Sequence, residues 1–135
     1  MNALVTALQR LGLPLGEMHL LTVTGRKSGV PRTTPVAPIT LDGNRYLIGG
    51  FPGSHWAANA RAAGQGILSR GRRKEHVRFV ELSTQQARPV LRAYPAAMPA
   101  GVAMMSRVGV VSEGTPDEYE ALAGRCAVFR LELLH

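Results

Sequence analysis

A chain of 135 residues, 45% hydrophobic and 19% charged, has the length and composition of one globular domain spanning 1–135, and excludes disordered, collagen-like and low-complexity classes. Sixteen Lys and Arg against nine Asp and Glu give a net charge of +7, so the expected partner is anionic: nucleic acid, an anionic membrane surface, or a phosphorylated or carboxylated small molecule. The single cysteine, Cys126, excludes an internal disulfide framework and a zinc site built on several cysteines. No apolar run reaches the length of a membrane span, and the start lacks a secretory pattern, so the chain reads as soluble and cytoplasmic.

The N-terminal segment 1–14 reads as a short amphipathic helix. Leu4, Ala7, Leu8 and Leu11 share one face, and Gly12 and Pro14 end it. Its simplest role is packing on its own domain; a lid or a membrane-surface helix is the sharper alternative, weakly supported by the lone cation Arg10. Residues 20–24 read as a strand, followed by a glycine-bracketed basic turn over 25–32. A second strand over 33–41 contains Pro35 and Pro38, which make it an edge, bent or bulged strand. Asp42-Gly43 predicts a hairpin into a third strand over 45–50.

Ser54 stands as an N-cap for a helix over 55–63, closed by Gly64 and Gly66. Two further strands, 67–70 and 75–82, are joined through a basic turn. Ser83 with Gln86 has the spacing of a capping box, opening a helix that ends near Pro95. Residues 96–111 are apolar and Met-rich, with helix or loop left open. Thr115-Pro116-Asp117-Glu118 is a helix start, with that helix reaching Gly124, and alternation at Ala127, Phe129, Leu131 and Leu133 gives a final strand. Hairpin-linked strands with helices at the edges predict an α+β fold, a small and mostly antiparallel barrel.

Chemistry concentrates in a few places. Arg26, Lys27 and Arg32 share one turn with Ser28 and two glycines, a composition suited to a phosphate nest or equally to a solvated basic hairpin. The spacing is not that of a Walker loop. Trp56, Asn59 and Ala60 fall on one helix face; Asn59 and Arg61 could donate to anions, while the tryptophan is also an ordinary core anchor. Arg70, Arg72, Arg73, Lys74, His76 and Arg78 form a second basic stretch without interleaved aromatics, which ranks nucleic acid below a small anionic ligand. No hydrolase elbow, metal cluster or carboxylate pair stands out, so an enzyme of this sequence would rely on a bound cofactor. Tyr94 is the candidate catalytic hydroxyl, beside a Met-rich segment that could wall an acceptor pocket or be core.

The run over residues 21–35, with Gly25-Arg26-Lys27-Ser28-Gly29 and Pro31-Arg32 at its centre, resembles the signature of the deazaflavin (F420)-dependent nitroreductase family. The helix His55-Trp56-Ala57-Ala58-Asn59-Ala60-Arg61 and the last strand are similar to that family as well, although Ala60-Arg61-Ala62-Ala63-Gly64 replaces its usual A-N-P ending. The resemblance implies a split β-barrel and binding of coenzyme F420, a hydride donor carrying a phosphate and an oligoglutamate tail. It implies that Arg26, Lys27, Ser28 and Arg32 contact the phosphate and tail, that Trp56 lies beside the cofactor, and that Asn59 and Arg61 assist. The implied activity is hydride transfer from reduced F420 to a small hydrophobic acceptor: a quinone, an enone or a nitro compound. An FMN-dependent split-barrel oxidoreductase and a non-catalytic carrier or sensor of F420 or lipid are the alternatives. Peripheral membrane contact and a monomer or homodimer are the remaining expectations.

Overall fold

The computed structural model describes residues 19–49 and 54–134. The predicted N-terminal helix over 1–14 lies outside them. Seven strands form one antiparallel sheet: β1 (His19–Thr24), β2 (Pro31–Val36), β3 (Ile39–Leu41), β4 (Asn44–Ile48), β5 (Gln65–Arg70), β6 (Arg73–Glu81) and β7 (Val128–Leu133). Four helices are described: α1 (His55–Ala63), α2 (Thr84–Ala97), α3 (Pro99–Arg107) and α4 (Pro116–Glu120).

The sheet order is β2-β1-β5-β6-β7-β4-β3. Its two edge strands, β2 and β3, are consecutive in the chain and are separated only by Ala37 and Pro38. Two residues span about 7 Å, so the sheet has to curl until its edges approach each other. The result is the half-barrel that the α+β reading predicted. The single strand expected over 33–41 is instead two strands on opposite edges. Pro38 falls at the break, and Pro35 is tolerated inside β2 because β2 is an edge, where a proline that donates nothing to a ladder is accommodated.

Inside the curl, Leu21, Val23, Leu47, Leu68, Val77, Phe79, Phe129 and Leu131 form a core closed by Ala57 and Ala60 of α1. A second core packs α2, α3 and α4 against the other face of β3, β4 and β7 through Ile39, Leu91, Tyr94, Met98, Met105, Tyr119 and Val128. Strand β7 therefore buries both faces, which is why Val128 and Phe129 are adjacent and both apolar.

The local signals act as the chemistry requires. Asp42 and Gly43 both take positive φ and turn β3 into β4. Ser83 and Gln86 form the reciprocal capping box of α2, and Thr115 and Glu118 form that of α4. Gly64 caps α1 in the left-handed region. Three details differ from the sequence reading. Ser54 is buried and makes no side-chain cap bond, α2 runs through Pro95 to Ala97, and α4 stops at Glu120. The open stretch 96–111 contains α3, whose Met105 Sδ accepts a hydrogen bond from the Tyr119 hydroxyl at 3.3 Å. Among the described residues no helix is long and apolar enough to cross a membrane.

Candidate active site

The basic turn between β1 and β2 is built by its own backbone. Gly25 N–H donates to the Val30 carbonyl at 2.9 Å, and Gly29 N–H donates back to the Gly25 carbonyl at 2.9 Å. Ser28 Oγ accepts from the Val30 N–H at 3.1 Å. Gly29 takes φ +71°, which favours glycine. Gly25 is needed for space: a Cβ there would stand 2.9 Å from Ser28 Oγ and 3.1 Å from the Val30 carbonyl.

This turn, the first half of β2 and the first turns of α1 enclose a cavity of about 650 Å³. Gly25, Arg26, Lys27 and Ser28 form one side, Pro31 to Thr34 a second, and His55, Trp56 and Asn59 a third. Three of these lining residues are Lys or Arg and none is Asp or Glu. Lys27 and Arg32 have no carboxylate partner among the described residues, so their charge is directed at whatever enters. Trp56 is half-buried, with its ring centroid 6.1 Å from that of Phe129, which ties the cavity wall to the barrel core.

Six residues singled out from the sequence, Arg26, Lys27, Ser28, Arg32, Trp56 and Asn59, thus line one cavity. Arg61 does not. It points from the far end of α1 to Glu81, donating from Nε at 2.7 Å and from Nη2 at 2.6 Å. That pairing holds the Glu81 carboxyl below its ordinary range. Tyr94 is also placed elsewhere. It is 8% exposed, packs on Tyr119 at 5.1 Å between centroids, and belongs to the helical core. Burial pushes its phenol up to about 12, so it is a poor proton donor at neutral pH. Met98 and Met105 are buried in the same core and form no wall of the cavity. Pro31, Thr33, Thr34 and His55 line the cavity without having been singled out as site residues. Their sequence signal is that they lie in the two stretches, 21–35 and 55–61, that carry the family resemblance.

The family model of the F420H(2)-dependent quinone reductases matches residues 4–109. The chain belongs to this family. It is an F420H2-dependent oxidoreductase, and coenzyme F420 is its cofactor. No curated protein matches the sequence of this reductase. Among solved structures it is similar to an F420-H2 dependent reductase, FDR-A, with TM-score 0.56 and 20% identity over 86% of this chain and 94% of that one. An FAD-binding protein of Mesorhizobium loti matches with TM-score 0.53 and 15% identity over 100% of this chain and 91% of its own. The heme storage protein HutZ of Vibrio cholerae matches with TM-score 0.52 and 10% identity, over 98% and 91%. At such identities these likenesses establish the split-barrel fold alone.

The residues present suit the cofactor. A phosphate and several carboxylates need concentrated positive charge without competing acids, and the lining of the cavity provides it. A planar ring needs an apolar wall, and the indole of Trp56 is a surface of that kind in the lining.

Proposed function

We propose that the reductase holds the anionic part of F420 in the cavity over the 25–32 turn and passes a hydride to a small hydrophobic acceptor, a quinone, an enone or a nitro compound. The observation that carries this reading is a cavity with three cations, no carboxylate and one indole wall. Bound there, the cofactor supplies a two-electron hydride donor. Arg26, Lys27 and Arg32 neutralise its phosphate and tail carboxylates, and the Ser28 hydroxyl retains a proton to donate after accepting from Val30. Trp56 would offer its indole to the ring as an apolar wall. Reduction of a quinone or enone also takes up a proton. Arg26, Lys27, Ser28 and Arg32 are exposed, so the cavity mouth is open to water, and water is the proton source in this reading.

The test is anaerobic oxidation of reduced F420 by the purified protein, with a soluble quinone, an enone and a nitroaromatic compared as acceptors. Acceptor-dependent oxidation is expected, and Arg32→Ala should raise the Kd for F420 about tenfold, the worth of one charge-assisted contact. Unchanged affinity in Arg32→Ala, or tight binding without turnover on any acceptor, would sink the proposal.

A further inference from the structure

Arg26 and Asn59 are 33 residues apart, yet two donors of Arg26 converge on one atom of Asn59. The Arg26 backbone N–H reaches Asn59 Oδ1 at 3.1 Å, and its Nη1 reaches the same oxygen at 2.8 Å. Nη1 also approaches the His55 carbonyl at 3.4 Å. Two N–H donors on one atom identify it as the carbonyl oxygen, which has two lone pairs to offer. Asn59 is 8% exposed and sits on α1, packed onto the sheet through its neighbours Ala57 and Ala60.

From this geometry we infer that Asn59 is a positioning residue for cofactor binding: it latches the basic turn to α1 and presents Arg26 to the cavity in one fixed pose. The inference rests on the reading that the turn holds the anionic part of F420. A free arginine on an exposed turn samples many rotamers, and ordering it on binding costs affinity. Here that ordering is already done in the protein. Nη1 is occupied, while Nε and Nη2 have no protein partner among the described residues and remain available to an anion. The choice of amide over carboxylate matters as well. An aspartate at this place would accept the same two bonds but would cancel one of the cavity's three positive charges. Asparagine gives the acceptor without the negative charge.

The experiment is a double-mutant cycle on the binding of oxidised F420, followed by its fluorescence, in wild type, Asn59→Ala, Arg26→Ala and the double variant. Each single change should weaken binding about tenfold, and the double variant should be little worse than Arg26→Ala, because Asn59 acts through Arg26. Losses that multiply would mean that Asn59 does not act through the Arg26 side chain, and would overturn the inference while leaving the anion site intact. Arg26→Ala binding as tightly as wild type would overturn both readings. Asn59→Ser replaces Asn59→Ala if the latter does not fold. Asn59→Asp gives a second readout: thermal stability at least as high as wild type with weaker F420 binding supports the latch, whereas unchanged affinity contradicts the argument for a neutral acceptor.

Discussion

Two turns of this reductase are rich in cations, three in one and four in the other, and it is the one with fewer that lines the cavity. The 25–32 turn carries Arg26, Lys27 and Arg32; the β5–β6 hairpin carries Arg70, Arg72, Arg73 and Lys74. They lie at opposite ends of the sheet, because β1 and β5 pair antiparallel through Leu20↔Ser69 and Thr22↔Ile67. The first turn folds back on itself through two backbone bonds and is tied to α1 through Asn59, so its charges face a concavity. The second is a tight two-residue connection through Gly71, with Arg70 directly opposite Arg73, a like-charge pair that costs stability. Its acid, Glu75, is held chiefly by Arg45, which donates to it from Nη1 at 3.0 Å and from Nη2 at 3.2 Å, while Nη2 of the hairpin's Arg73 stands 4.0 Å from it. Cation density alone therefore does not mark a site. Backbone curvature and a second element to close against make the difference.

Removing charge from each turn breaks the comparison most sharply. The variant Arg26→Ala, Lys27→Ala, Arg32→Ala should lose F420 affinity by about a hundredfold or more, roughly tenfold for each of at least two charge-assisted contacts. Neutralising Arg70, Arg72 and Lys74 should change affinity about twofold at most in physiological salt, through long-range attraction alone. Equal losses in titrations of the two variants would erase the distinction drawn here.

A smaller effect isolates curvature from charge. Gly25→Ala leaves every cation in place but pushes a methyl group against Ser28 Oγ and the Val30 carbonyl. F420 binding should weaken about tenfold with the net charge unchanged. At Gly71 the same substitution is strained by its φ of +60°, costs about 1 kcal/mol of stability, and should leave binding as it was. Comparison of Tm and Kd for the two variants checks both statements.

The smallest effect concerns the hairpin's own acid. Hydrogen bonding from Arg45 holds the Glu75 carboxyl below its ordinary value of 4.5. A carboxylate with a lowered folded pKa contributes stability that is complete above the unfolded value and is lost as pH falls through the folded one. Glu75→Gln should therefore lower Tm near neutral pH by about 4 °C, for about 1 kcal/mol, with the gap to wild type closing as pH falls below the ordinary carboxylate value of 4.5. F420 affinity should not follow, and thermal melts across pH together with one titration test this.

Much of this architecture was legible in the sequence because it is local. Asp42-Gly43, the capping boxes at Ser83 and Thr115, and the alternation of β7 are each read within a few residues. The split of the 33–41 stretch into the two edges of the sheet depends on pairings with β1 and β4, which no local pattern shows. The same limit divides the candidate site. Arg26, Lys27, Ser28 and Arg32 are contiguous and stay together, and Trp56 and Asn59 join them from one helix face. Arg61 reads like its neighbours in sequence, but Glu81 on β6 claims it. Nothing local to Tyr94 marks it as buried, because the side chains that enclose it, Met105 and Tyr119 among them, come from α3 and α4.

Amide chemical-shift mapping of the wild-type protein, titrated with oxidised F420, distinguishes the latched turn from the hairpin as the place that receives the cofactor. Saturable shifts are expected to concentrate at residues 25–34 and 55–59, with residues 70–74 unmoved. Saturable shifts at 70–74 or along α3, with the 25–34 amides silent, would contradict it.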